Sequence, residues 1–192
     1  MYRQLAASNF KIRDVEKWYY IPVDGDVSAG GKVDRVDECD GLVRVIDYKT
    51  GNISYTAEEY YAGVKLQLPL YLLAASKGKR PAGAYYFPAN VEFGDKPAGD
   101  FTLKGFMDCG EEVVRNTDKT IKDKERSAFV DAYLNGRQLA GGLLEEDFSD
   151  FIAYSALIAK RGAKEMFGGN IAPSPFTGAC DYCKMGGMCG FA

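Results

Sequence analysis

Asp34, Asp47 and Lys49 are the residues whose types and spacing suit chemistry. The stretch "LVRVIDYKTGN" (42–52) reads as a buried strand of Leu42, Val43, Val45 and Ile46 that finishes in a carboxylate and an ammonium. Strand side chains alternate faces, so Asp47 and Lys49 point to one side and Tyr48 to the other. Upstream, "GKVDRVDEC" (31–39) sets Val33, Arg35 and Asp37 against Lys32, Asp34 and Val36. Asp40-Gly41 is a short hairpin signal that turns this strand into the next and brings Asp34 toward Asp47 and Lys49. Neighbouring carboxylates repel, and in a half-buried setting they are costly unless a cation lies between them. Mg2+ suits the position: a hard ion that takes one or two carboxylates and fills its other places with water and substrate phosphate. Lys49 would then orient the attacking water or offset charge on a phosphate oxygen. That chemistry is phosphodiester hydrolysis. On spacing alone an Asp-x-Lys at a strand end is the pattern of a solvated surface pair, worth about 0–1 kcal/mol. The second strand with Asp34 and the helix that follows favour the site.

The elements that must position these residues alternate between strand and helix patterns. "KWYYIPV" (17–23) reads as a strand after a mixed first sixteen residues, and "GDVSAGG" as a turn-rich link. Thr56 with Glu59 makes a capping box for a helix running through Ala75, kinked where Pro69 lies inside it. Gln67 and Tyr71 are four apart and share one face of that helix. Strands are expected at 83–89 and 101–107 around a Gly/Pro/Asp-rich loop at 90–100, then helices at about 123–140 and 146–167. The order predicts an α/β fold, a mixed sheet with helices around it.

Composition narrows the function. The 192 residues suffice for about one domain with a real core. There is no histidine, which removes Ser-His-Asp and Cys-His catalysis and most catalytic zinc sites. No G-x-x-x-x-G-K-[ST] occurs, so no ATP motor is expected here. The net charge of −3 argues against a protein that coats nucleic acid generally, though not against a local basic channel. "DGDVSAGGKVDR" starts like a calcium loop without its Gly and closing Glu, "DKTIKDKER" (118–126) reads as a solvated helix start, and Lys77, Lys79 and Arg80 as an exposed basic turn. With no run of about 18 apolar residues and no signal-peptide pattern, the expectation is a cytoplasmic protein without a membrane span.

Of five cysteines, Cys180, Cys183 and Cys189 crowd into the last thirteen residues. Cys-x2-Cys-x5-Cys looks like metal ligation rather than a disulfide framework. Taken alone it suits zinc, with a fourth ligand to come from elsewhere, Cys39 or Cys109 being the available thiols.

"GKVDRVD", "VRVIDYKTG" and "QLPLYLLAA", in that order, resemble the RecB-type branch of the PD-(D/E)XK nucleases. The resemblance implies a restriction-endonuclease-like core, a central mixed β-sheet flanked by helices, and cleavage of DNA with Mg2+ (or Mn2+). It makes Asp34 the first acid, Asp47 the second and Lys49 the lysine, with Gln67 and Tyr71 as the Q-x-x-x-Y element. The metal would be bound by Asp34, Asp47 and the backbone carbonyl of Tyr48. Glu16, in "VEKWYY", lies where relatives often carry an upstream Glu and is a further candidate ligand.

The cysteine tail and "LKGFMDCGEEVVRNTD" extend the resemblance, over about residues 10 to 191, to the iron–sulfur nuclease domain in the B subunits of AddAB-type ATP-dependent helicase–nucleases. That implies a nuclease domain over 1–172, a cysteine tail over 173–192, and a [4Fe–4S] cluster held by Cys180, Cys183, Cys189 and one far-upstream cysteine. It also implies an exonuclease that acts on single strands at duplex ends, works beside a helicase A subunit and prepares double-strand breaks for recombinational repair. The upstream cysteine and upstream helix of the relatives have no counterpart here. The chain is therefore expected to be a C-terminal piece of a longer protein, its cluster absent, replaced by zinc or left as a disordered tail. Two rivals are a stand-alone RecB-like exonuclease of CRISPR adaptation and a non-catalytic domain that binds DNA or a partner. Tail spacing and "LKGFM" disfavour the first, and the intact Asp34, Asp47 and Lys49 the second.

Overall fold

The computed structural model describes residues 2–54, 56–89, 101–135, 138–140 and 142–190. A short helix α1 (Tyr2–Ala7) precedes β1 (Lys11–Asp24), β2 (Val27–Cys39) and β3 (Leu42–Lys49). Helices α2 (Ala57–Tyr61) and α3 (Gln67–Ser76) lead to β4 (Arg80–Pro88) and β5 (Lys104–Met107). Then come α4 (Glu111–Thr117), a small hairpin of β6 (Tyr133–Asn135) and β7 (Gln138–Ala140), the long α5 (Glu145–Phe167), a 3-10 turn (Ala179–Tyr182) and α6 (Gly186–Cys189).

Strands β1 to β5 lie in chain order in one sheet. All neighbours are antiparallel except β3 and β4, which run parallel across the α2–α3 crossover. The sheet is therefore mixed and the fold α/β, as the sequence leads one to expect. Asp40 and Gly41 both take positive φ (46° and 83°) in the tight turn that joins β2 to β3.

Strand β3 is buried on both faces, and its alternation divides the core. Leu42 and Ile46 pack with Phe10, Tyr85, Leu103, Met107, Val113 and Val114. Val43 and Val45 pack with Leu68, Leu72, Ala75, Phe148 and Ile152 of α3 and α5. Leu68 and Leu72 are fully buried, each contributing about 1.5–3 kcal/mol over exposure. Burial of α3 fixes where its first residue, Gln67, points relative to the end of β3.

Several expectations are corrected. The helix from Thr56 to Ala75 is two helices. The capping box of Thr56 and Glu59 is present, but the chain leaves helical geometry at Gly63 (φ 75°) and restarts at Gln67. Pro69 therefore falls in the first turn of α3, where its missing N–H has no helical partner to lose, and the first turn closes just after it with Leu70 N–H to the Leu66 carbonyl. The helix expected at 123–140 does not form. Asp118, buried, accepts the Thr120 N–H at 3.0 Å and the hydroxyls of Thr120 and Ser127 at 2.6 and 2.7 Å, holding an irregular loop before β6. The 25–31 link is mostly the start of β2, β1 begins six residues earlier than "KWYYIPV", and β5 starts at Lys104, with Leu103 bridged to Val130. The basic turn is exposed at Lys77 and Lys79, as expected, with Lys79 paired to Glu38 and Arg80 to Asp108 at 2.6 Å. The loop expected at 90–100 lies outside the described residues.

Candidate active site

The β2–β3 ladder ends at Arg35 opposite Ile46. One step further in the same register, Asp34 stands across from Asp47. There the side chain of Asp34 replaces the ladder: its Oδ2 accepts the backbone N–H of Tyr48 at 2.9 Å. On the neighbouring strand Tyr86 is the parallel partner of Asp47.

Asp47 sits at the centre. Its side chain is 8% exposed, and Oδ2 lies 2.7 Å from the ammonium of Lys49. Beyond that ammonium no donor reaches the enclosed Oδ2 among the described residues. Oδ1 accepts from Gln67 Nε2 at 3.2 Å, and the same nitrogen is 3.5 Å from the Tyr71 hydroxyl. The Tyr71 ring occupies space over Gly31 on β2, where an added Cβ would stand 2.3 Å from the hydroxyl oxygen. Lys49 Nζ rests 5.3 Å from the centre of the Tyr86 ring. The resulting cleft, of about 180 Å³, is lined by Lys49, Ile53, Leu66, Gln67 and Tyr86 among others.

Burial pushes the Asp47 carboxyl above the usual carboxylate range, Lys49 pulls it back, and the charge of Asp34 adds to the rise. For Lys49, burial works downward, but pairing with Asp47 wins and the ammonium is held more firmly than usual. A crowded carboxylate next to a second one, with an enclosed oxygen short of donors, is a donor set that fits a hard divalent cation. Asp34 and Asp47 are the side chains that would hold it.

Asp34, Asp47, Lys49, Gln67 and Tyr71 thus come together. Glu16 lies on β1 across from Asp34 in the β1–β2 register, but its backbone takes positive φ (51°) and its side chain, more than half exposed, pairs with Lys32. No third acidic side chain joins Asp34 and Asp47 among the described residues, and the tail cysteines do not converge either. Cys180, Cys183 and Cys189 are exposed, with the Met185 N–H donating to Cys183 Sγ at 3.4 Å. Cys39 and Cys109 are buried in the body of the fold. By itself the tail does not make a four-thiolate site.

Two supports escape sequence reasoning. Tyr86 is joined to the site only through parallel pairing of distant strands, which leaves no local pattern. On the opposite face Asp37 takes a two-pronged bond from Arg35 (both 2.6 Å) and another from Arg44 Nε at 2.9 Å, all three nearly inaccessible. Arg35 and Asp37 share a face in the alternating pattern, which is the available signal. Their bonds brace β2 directly beside Asp34.

Comparison with known sequences gives the family. Residues 2–190 match the PD-(D/E)XK nuclease superfamily, and the chain belongs to it. It is similar to proteins named as the B subunit of an ATP-dependent helicase/deoxyribonuclease. Against that of Caldanaerobacter subterraneus subsp. tengcongensis it is 31% identical over 192 residues, covering 84% of this chain and 16% of the relative. For Carboxydothermus hydrogenoformans the figures are 37% over 117 residues, 54% and 10%. For Clostridioides difficile they are 28% over 199 residues, 86% and 17%. The chain therefore spans between 10% and 17% of these relatives' length.

Proposed function

We propose that this chain is the metal-dependent nuclease domain of a helicase–nuclease B subunit and hydrolyses phosphodiester bonds of DNA with Mg2+ or Mn2+. The observation that carries the reading is the register that sets Asp34 opposite Asp47, with Lys49 Nζ 2.7 Å from Asp47 Oδ2. Asp34, Asp47 and the Tyr48 carbonyl would hold the cation, which would supply charge that favours a nucleophilic water and steadies the phosphate oxygens. Lys49, kept protonated, offsets the negative charge that grows on the phosphate as water oxygen bonds to phosphorus and the ester oxygen departs with a proton. Gln67 fixes the rotamer of Asp47, and Gln67 with Tyr71 contacts the DNA backbone.

The relatives' name supports a parent protein that is one subunit of a helicase–deoxyribonuclease; we infer further that it works beside a helicase A subunit in the cytoplasm, acting on single strands at duplex ends and preparing double-strand breaks for recombinational repair. No helix among the described residues is long and apolar enough to cross a membrane. Cys180, Cys183 and Cys189 would be three ligands of a [4Fe–4S] cluster completed by a cysteine outside this chain, and 173–192 the segment that carries them.

The test is degradation of linear single-stranded DNA with Mg2+ or Mn2+, with covalently closed circles of the same sequence as control. Loss of the linear strand, stopped by chelator, supports an end-dependent nuclease. Persistent DNA in every metal tried contradicts the reading.

A further inference from the structure

A second cavity, of about 530 Å³, is apolar. Tyr60, Tyr61, Phe106, Leu143, Phe151 and Tyr154 line it. Tyr60, buried, stands edge-on against Phe106 (centroids 4.9 Å, 88°) and Phe151 (5.4 Å, 78°), which makes a stiff wall. Tyr61 and Tyr154 stack nearly parallel at 5.6 Å and 7°. The Tyr154 hydroxyl donates to the Tyr61 carbonyl at 2.9 Å and locks the pair across α2 and α5. With one ring face on Tyr154 and 74% of the residue exposed, Tyr61 keeps its other face open.

Three features say what this aromatic surface receives. Part of it, Ala57, Tyr60 and Tyr61, lies on the segment that joins Lys49 to Gln67. Its wall continues into the cleft, because the Tyr60 hydroxyl neighbours Tyr86, the ring beneath Lys49. Its chemistry is rings, with no charged lining residue among the described residues, which suits a flat uncharged π-system and not a phosphate. Alongside a site that holds a phosphate, that π-system is the base of the same nucleotide chain.

We propose that the Tyr61–Tyr154 stack and its cavity bind an unpaired nucleobase of the strand whose phosphate the cleft holds. This rests on the reading of the cleft as a DNA site. In a duplex the base would have to leave its stack to reach Tyr61, at a cost of a few kcal/mol. In a single strand it would be free to stack there.

Anisotropy of a labelled single-stranded oligothymidylate, with Ca2+ as the metal, tests the inference without requiring cleavage. Tyr61→Ala should weaken binding about 5- to 150-fold, the span that base–aromatic stacking gives by alanine substitution. Tyr61→Phe, which keeps the ring, should bind as the parent does. In an oligonucleotide scanned with single abasic sites, one position should weaken the parent by a similar factor and leave Tyr61→Ala unaffected, since coupled groups fail to add. Equal binding by Tyr61→Ala and the parent overturns the proposal, as does an abasic penalty that survives in the variant or a parent that ignores single strands. Stacking without cleavage in Mg2+ counts against catalysis alone and leaves this inference standing. An aromatic surface reserved for another protein segment would give the overturning result.

Discussion

The carboxylate of Asp34 accepts the backbone N–H of Tyr48 at 2.9 Å at the point where the β2–β3 ladder stops. A side chain takes over a strand's hydrogen bond, and one register step beyond the last ladder pair Asp34 stands across from Asp47.

Asp47 should make the metal-free protein less stable as pH rises. Its folded pKa is raised, mainly by burial. A raised acid contributes stability below its unfolded pKa, near 4, and loses it as pH climbs through the folded value. Asp47→Asn should therefore raise the melting temperature of the metal-free chain at neutral pH and flatten its pH dependence. Adding Mn2+ should stabilise the parent and not the variant, since ligands stabilise only states that bind them. A variant that melts lower than the parent at neutral pH would contradict this.

Gln67 and Tyr71 should separate by role. Gln67 donates directly to Asp47, as partners behind metal ligands do, and removing such partners typically costs about 10–100-fold in metal affinity or activity. Gln67→Ala should lose that much in Mn2+ affinity, read by calorimetry. Tyr71→Phe keeps the ring over Gly31, and its metal affinity should stay close to the parent's.

Gly31→Ala is a steric test of the same arrangement. The new methyl would meet the Tyr71 ring, so one of the two must move. Overpacking of this kind costs about 1–3 kcal/mol. The double variant Gly31→Ala with Tyr71→Ala should recover much of that stability in urea titration.

The brace behind the site should be the costliest to break. Asp37→Ala leaves Arg35 and Arg44 buried without their shared acceptor, and stranding buried charge in this way costs about 3–5 kcal/mol. Denaturant unfolding of the variant measures it directly.

Much of the site is legible in the sequence because its residues are local. Asp47 and Lys49 declare a common face by alternation, the Asp40-Gly41 turn sets the register that delivers Asp34, and Gln67 and Tyr71 are one helical turn apart. What is illegible depends on distant pairing or on buried loops. Tyr86 enters through a parallel strand some forty residues on. The basic and acidic run at 118–126 follows no helix because Asp118 turns its hydrogen bonds inward. Asn135-Gly136, a hairpin signal within the helical pattern of 123–140, is the cue to β6 and β7. Pro69 reads as a kink only while the helix is taken to run unbroken through Gly63.

The central claim is that Asp47 holds the metal that cleavage requires. The direct measurement is the rate of linear single-stranded DNA degradation in Mg2+ or Mn2+ by the parent and by Asp47→Ala, at matched protein and DNA concentrations. Metal-dependent cleavage in the parent that vanishes in Asp47→Ala is the predicted result. Cleavage that survives in the variant would place the chemistry elsewhere and contradict the account.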